Sequence, residues 1–292
     1  MKKIFLLIYF LILTLTPSNN LQCRDIKTES AIFNTLVGGF TSGIGAVINK
    51  NKDESYLQTF AKGFLVGSAG GYIMFHGKKL NRLISTEQNL SYAYASRFVY
   101  SIGNSIVENG AENINFWDKF HYDFGFVRFE VNTNKFSIQP EILPLTFIGT
   151  IYLATKGNLE FKKTIQSGTF IFKTDIYANP EDPTSLDNFG ALTPVNGIVY
   201  NAESEYYDFN FMMAHEFVHT FQHQDFSGIN LFFKPQFDSL KNKYPKFNKL
   251  CQWISPDLNV AMFYLNYFVI QGGLSNWDNN FLEMEAEGVI KL

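Results

Sequence analysis

Residues 211–223 read FMMAHEFVHTFQH, an apolar stretch that carries three of the five histidines in the chain and one glutamate. Asp208 or Asn210 can cap its start, and Ser227-Gly228 can end it. The spacing between them predicts a buried helix of about four turns. Apolar neighbours alone cannot pack such a helix. Each polar side chain buried without a partner costs roughly 1–3 kcal/mol. The rest of the chain must therefore fold so as to bring polar groups or an ion to this one turn.

On a helix, His215 and His219 lie four residues apart, about 40° from each other around the axis, so their rings can converge on one ion. Glu216 sits beside the first of them and reaches the space in front of that ion. This is the H-E-x-x-H pattern. Zn²⁺ with neutral protein ligands and one open position lowers the pKa of its water to about 7. A neighbouring carboxylate can take the proton and deliver it to a leaving amine.

Two histidines need a third ligand. His223 would stand about 12 Å from His215 along a continuous helix, too far to share an ion. Asp225 occupies the last position of H-E-x-x-H-x-x-G-x-x-H, but Gln222 replaces the glycine that would turn the chain. The better candidate is residues 281–288, FLEMEAEG. If helical, it puts Glu283 and Glu287 on one face and Glu285 on another. One carboxylate can then bind the ion, and the other can hold a ligand histidine in its tautomer.

His215-Glu216-Phe217-Val218-His219 followed by Glu283-Met284-Glu285-Ala286-Glu287 resembles the gluzincin arrangement of H-E-x-x-H and a later E-x-E-A-D. It is similar to that of CAAX-prenyl-endopeptidase-like zincins. With Thr220-Phe221-Gln222 added, it also resembles the H-E-x-x-H-x-x-Q of zincin-like domains in bacterial exported proteins. The resemblance implies one zinc ion on His215, His219 and Glu283, with Glu216 as general base and Glu287 as the supporting acid. Glu287 departs from the family's Asp. A peptide or protein substrate would add to a strand edge beside the metal helix. Ile198-Val199-Tyr200, just upstream, fits that edge by order. Tyr206, Tyr207, His121 and His223 are the candidates for stabilising an oxyanion. A catalytically silent envelope protein with a structural metal or a binding role is the alternative.

The remainder divides by texture into a signal peptide (1–22), a glycine-rich helical region (23–115), a β-rich region (116–200) and a helical region (201–292), the last two together forming one domain. Met1-Lys2-Lys3 and the apolar run 4–16, broken by Pro17, read as a secretory signal. Export to the periplasm or cell envelope follows, with lipoprotein anchoring at Cys23 or full secretion as alternatives. Cys23 and Cys251 can pair or stay free. Segments 31–48 and 60–75 carry four glycines each, and Gly63, Gly67 and Gly71 line one face. They fit either a tightly packed helix pair or a hairpin associated with a membrane, the former better matching their length. Residues 91–106 read as a helix after Asn89, with Asn104 and Glu108 as solvated positions. Residues 161–173 read as a hairpin around Gln166-Ser167-Gly168, and Asn196-Gly197 as a second one. The fold expected is α+β: a zincin-like metal helix packed with an antiparallel β region and the glycine-rich pair. A net charge of −3 gives no support to a nucleic-acid partner, and 46% apolar residues exclude a disordered chain.

Overall fold

Glycine decides the N-terminal third. Helix α1 (Ile26–Ile48) starts at Asp25, whose carboxylate accepts the Lys27 N–H. It is followed by α2 (Tyr56–Leu80), the short α3 (Arg82–Thr86) and α4 (Tyr92–Glu112). A Cβ at Gly67 would stand 2.2 Å from the Gly38 carbonyl oxygen, and one at Gly71 would stand 2.1 Å from that of Asn34. The backbones of α1 and α2 therefore touch. Gly70 and Gly103 bring α2 almost as close to α4. Helix α1 is long and apolar enough to cross a membrane by length and composition, and 61% of its apolar window is buried inside the protein.

The computed structural model describes residues 25–174, 190–202 and 208–291. The signal segment, Cys23, Tyr206 and Tyr207 lie outside them.

After α4 the chain forms an antiparallel meander of β1 (Lys119–Phe124), β2 (Val127–Asn132) and β3 (Ser137–Ile142). Pro140 sits in the edge strand β3, where its missing N–H is tolerated. Pro144 opens α5 (Pro144–Lys156). Asn104 and Glu108 of α4 face inward rather than to solvent. Asn104 is fully buried, and Glu108 lies 3.0 Å from the Arg128 guanidinium.

A second sheet holds β4 (Asn158–Leu159), β5 (Phe170–Thr174), β6 (Ala191–Val195) and β7 (Gly197–Asn201) in the order β4-β5-β7-β6. Only β5 and β7 run parallel. Two expectations need correction. Residues 161–167 form α6 (Phe161–Ser167) instead of a hairpin arm. Gly168, at φ +73°, is the left-handed cap of that helix, and the Thr164 hydroxyl accepts the Ile171 N–H as the chain turns back. The Asn196-Gly197 turn does join β6 to β7, but Ile198, Val199 and Tyr200 are not an edge. β5 pairs with them on one side and β6 on the other, so the edge is β6 itself.

The chain continues through α7 (Phe209–Gln222), a 3₁₀ turn (Ser227–Phe233), α8 (Lys234–Lys243), α9 (Pro245–Leu250) and α10 (Asn259–Tyr264). Helix α10 runs into a π-helical turn (Leu265–Ile270). A 3₁₀ turn (Gly273–Asn279) then leads to α11 (Phe281–Ile290), capped by Asn280. The molecule is α+β. One core joins Phe75 of α2, Ile171 and Ile198 of the second sheet, Met213 and Phe217 of α7, and Ala286 and Val289 of α11. A second joins Phe33 and Val37 of α1 to Phe263, Phe281 and Leu282. Helices from both ends of the chain thus enclose α7.

Candidate metal centre

Helix α7 is fixed first by its ends and its apolar face. Asp208 accepts the Asn210 N–H at 2.9 Å, and Met213, Ala214, Phe217 and Val218 are fully buried. The opposite face carries His215, Glu216 and His219. Helix α11 brings Glu283 against it. His215 Nε2 lies 3.2 Å from Glu283 Oε2, His219 Nε2 lies 3.1 Å from the same oxygen, and the two nitrogens are 2.9 Å apart. Three ligands about 2.1 Å from a tetrahedral ion would be separated by roughly 3.4 Å. The observed spacing needs only a slight opening. These are the three residues that the sequence assigns as ligands, and they form a group able to hold a metal ion.

The hydrogen bonds around the group select one ligand atom from each residue. Gln222 Oε1 is 2.7 Å from His219 Nδ1, so a proton on that nitrogen has an acceptor and Nε2 faces the centre. The Tyr267 hydroxyl donates to Glu283 Oε1 at 2.7 Å, leaving Oε2 for the centre. Two ring nitrogens and a carboxylate oxygen about 3 Å apart repel unless positive charge, a second imidazole proton or a metal ion, stands among them. Burial works against charge on His219, but Glu283, Glu216 and the Gln222 contact outweigh it and lift its pKa to about 9. Burial would raise Glu283, yet the two imidazoles hold it well below the usual carboxylate range. Burial and the Glu283 charge push the Tyr267 phenol up. The field of the pocket favours a cation where the three atoms meet.

Glu216 is buried and accepts the Thr193 hydroxyl on Oε2 at 2.6 Å. Thr193 belongs to the edge strand β6, so this bond ties the strand to α7.

Glu287 is not the residue that supports a histidine. Its carboxylate pairs at the surface with Lys291, one turn along. Asp225 is no ligand either: its carboxylate is 2.6 Å from Lys78 Nζ. His223 Nε2 donates to the Thr193 carbonyl at 2.9 Å, and burial lowers its pKa to about 3. His121 lies within β1, beside Ser105 and Glu108.

Sequence reasoning missed a tier beneath the centre. Glu285, turned off the ligand face, is fully buried, with Lys78 Nζ at 2.9 Å, Asn34 Nδ2 at 2.6 Å and Gln222 Nε2 at 2.9 Å. Tyr100 donates to the Phe221 carbonyl and lies 3.0 Å from Asp225. Burial works against the charge of Lys78, but Asp225 and Glu285 more than offset it and raise its pKa. Burial lifts Asp225 to about 7, helped by Glu285 and opposed by Lys78. The only sequence signal for this tier was that Gln222 and Glu285 sit inside the two motifs. No family, curated protein or solved structure matches the chain.

Proposed function

We propose that the chain is an exported, zinc-dependent peptidase of gluzincin type, with α7 as the metal helix of a zincin-like fold. The observation that carries this reading is the convergence of His215 Nε2, His219 Nε2 and Glu283 Oε2 within 3.2 Å of one another, with Glu216 one residue along the helix. Two imidazoles and one carboxylate are a donor set of catalytic zinc sites, which keep a fourth position open. Bound there, zinc would bring the pKa of its water to about 7 and polarise a carbonyl. The chain's own residues orient groups and move protons. Thr193 holds Glu216 Oε2, which leaves Oε1 to take a proton and pass it to the leaving amine. An extended peptide or protein segment adding to the β6 edge would lie along the strand that carries Thr193. The basic start and apolar run of residues 1–16 support export to the periplasm or cell envelope.

The test is hydrolysis of a peptide library, sensitive to a chelator. Glu216→Gln should lower it by at least about 100-fold while zinc stays bound. Unchanged hydrolysis in that variant refutes the proposal. One observation favours a second reading: Glu216, His219 and Glu283 are exposed by only 8%, 7% and 6%. So little access to solvent suits a metal that holds structure, although the three converging donors are one short of the usual structural set. Stoichiometric zinc, no turnover on any peptide, and a large loss of stability on metal removal would select it.

A further inference from the structure

We propose that Gln222 is the positioning residue of the centre, clamping both of its ligand helices, in the place that the motif pattern gives to a carboxylate at Glu287. The proposal rests on the metal-site reading above, but not on turnover.

Gln222 lies three residues beyond His219 on α7 and is fully buried. Its side-chain amide has two faces, and both are used. The oxygen meets His219 Nδ1 at 2.7 Å. The nitrogen donates to the Leu282 carbonyl at 2.8 Å and to Glu285 Oε2 at 2.9 Å. Leu282 immediately precedes the ligand Glu283, so a single amide orients one ligand ring and grips the backbone beside another.

The orientation of that amide is forced. A carbonyl oxygen can only accept. Glu285 is held as an acceptor as well, by Lys78 Nζ on Oε2 and Asn34 Nδ2 on Oε1. Turning the amide over would set its oxygen against two fixed acceptors, the Leu282 carbonyl and Glu285 Oε2. Two favourable contacts would become two unfavourable ones between fully buried side chains. Gln222 therefore presents an acceptor to Nδ1, the proton stays there, and the Nε2 lone pair is committed to the centre. Ligand histidines generally need such a fixed partner. Here an amide supplies it from the metal helix itself, and the buried Glu285 and Lys78 hold the amide in turn.

The first test is direct. In the zinc-loaded wild-type protein, nitrogen-15 imidazole spectra should place the His219 proton on Nδ1. A proton on Nε2 overturns the proposal. The second test is Zn(II) affinity, read by chelator competition. Gln222→Ala should weaken binding by about 10- to 100-fold, the range usual for such partners, and Glu287→Ala should leave it within about twofold. Gln222→Glu sets a carboxylate against Glu285 and should also weaken binding. Wild-type affinity in Gln222→Ala overturns the clamp even in a protein that hydrolyses peptides. A wild-type protein that takes up no Zn(II) overturns both this proposal and the peptidase reading.

Discussion

Lys78 offers the most demanding test of the energetics. Its ammonium is fully buried, 2.6 Å from Asp225 and 2.9 Å from Glu285, and both carboxylates are as deeply buried. Lys78→Met keeps the length of the apolar stem and removes the charge. Two carboxylates then share a dry site with no cation. Breaking a buried pair in this way costs about 3–5 kcal/mol, because an uncompensated charge is left behind. For a chain of this size each kcal/mol moves the melting temperature by roughly 2–4 °C, so Tm should fall by roughly 6–20 °C. The sign of the pH dependence follows from linkage. Without lysine, the folded carboxylates hold protons to higher pH than they do in the unfolded chain. The folded state then binds more protons through that window, and its stability falls as pH rises. The deficit relative to wild type should be smaller at pH 5 than at pH 8. Thermal unfolding of both proteins at the two pH values, followed by circular dichroism, reads this directly. A Tm change below about 2 °C at pH 8, or a deficit that grows on acidification, would refute the reasoning.

Three further outcomes are expected. Gly67→Ala should destabilise the protein by about 1–3 kcal/mol in urea titration. Its Cβ meets a backbone oxygen at 2.2 Å that cannot swing aside, and this outweighs a helix-propensity gain of about 1 kcal/mol. Tyr267→Phe frees Glu283 Oε1 and should weaken Zn(II) binding by about tenfold in chelator competition, with little change in fold. His223 is held neutral down to about pH 3, whereas its unfolded ring titrates near 6.5. The unfolded chain binds more protons between those values, so stability falls as pH falls. His223→Gln, which can still donate to Thr193, should remove about 3 kcal/mol of that loss at pH 4, measured as the difference between the two unfolding curves.

How far the sequence reached depended on the range of the contacts. His215, Glu216 and His219 lie within one helical turn, and local periodicity was enough to group them. Glu283 was found because its own turn repeats the acidic pattern. Face arithmetic correctly separated Glu285 from Glu283, but not what lies on the other side. That depends on Lys78, 207 residues earlier, and on glycines that let α2 come close. Glu287 has the right face, but Lys291 captures it, a competition that spacing alone does not rank. Order along the chain places Ile198, Val199 and Tyr200 beside α7 and so suggests an edge. Strand order is set by the parallel pairing with β5, a non-local choice. Residues 161–167, FKKTIQS, are too short for their pattern to separate strand from helix, and the left-handed Gly168 decides.

The bond between Asn34 and Glu285, like that between Lys78 and Glu285, has a consequence for dissecting the chain. A fragment that begins at residue 116 would keep every proposed zinc donor and still lack the partners of its innermost carboxylates. Phe281 would also lose Phe33, whose ring centre lies 4.8 Å away. Such a fragment should be recovered as aggregate or molten chain, and refold only when residues 25–112 are supplied, covalently or as a separate peptide. The two motifs that look like a self-sufficient module are thus half of an architecture whose other half is written in glycine at the opposite end.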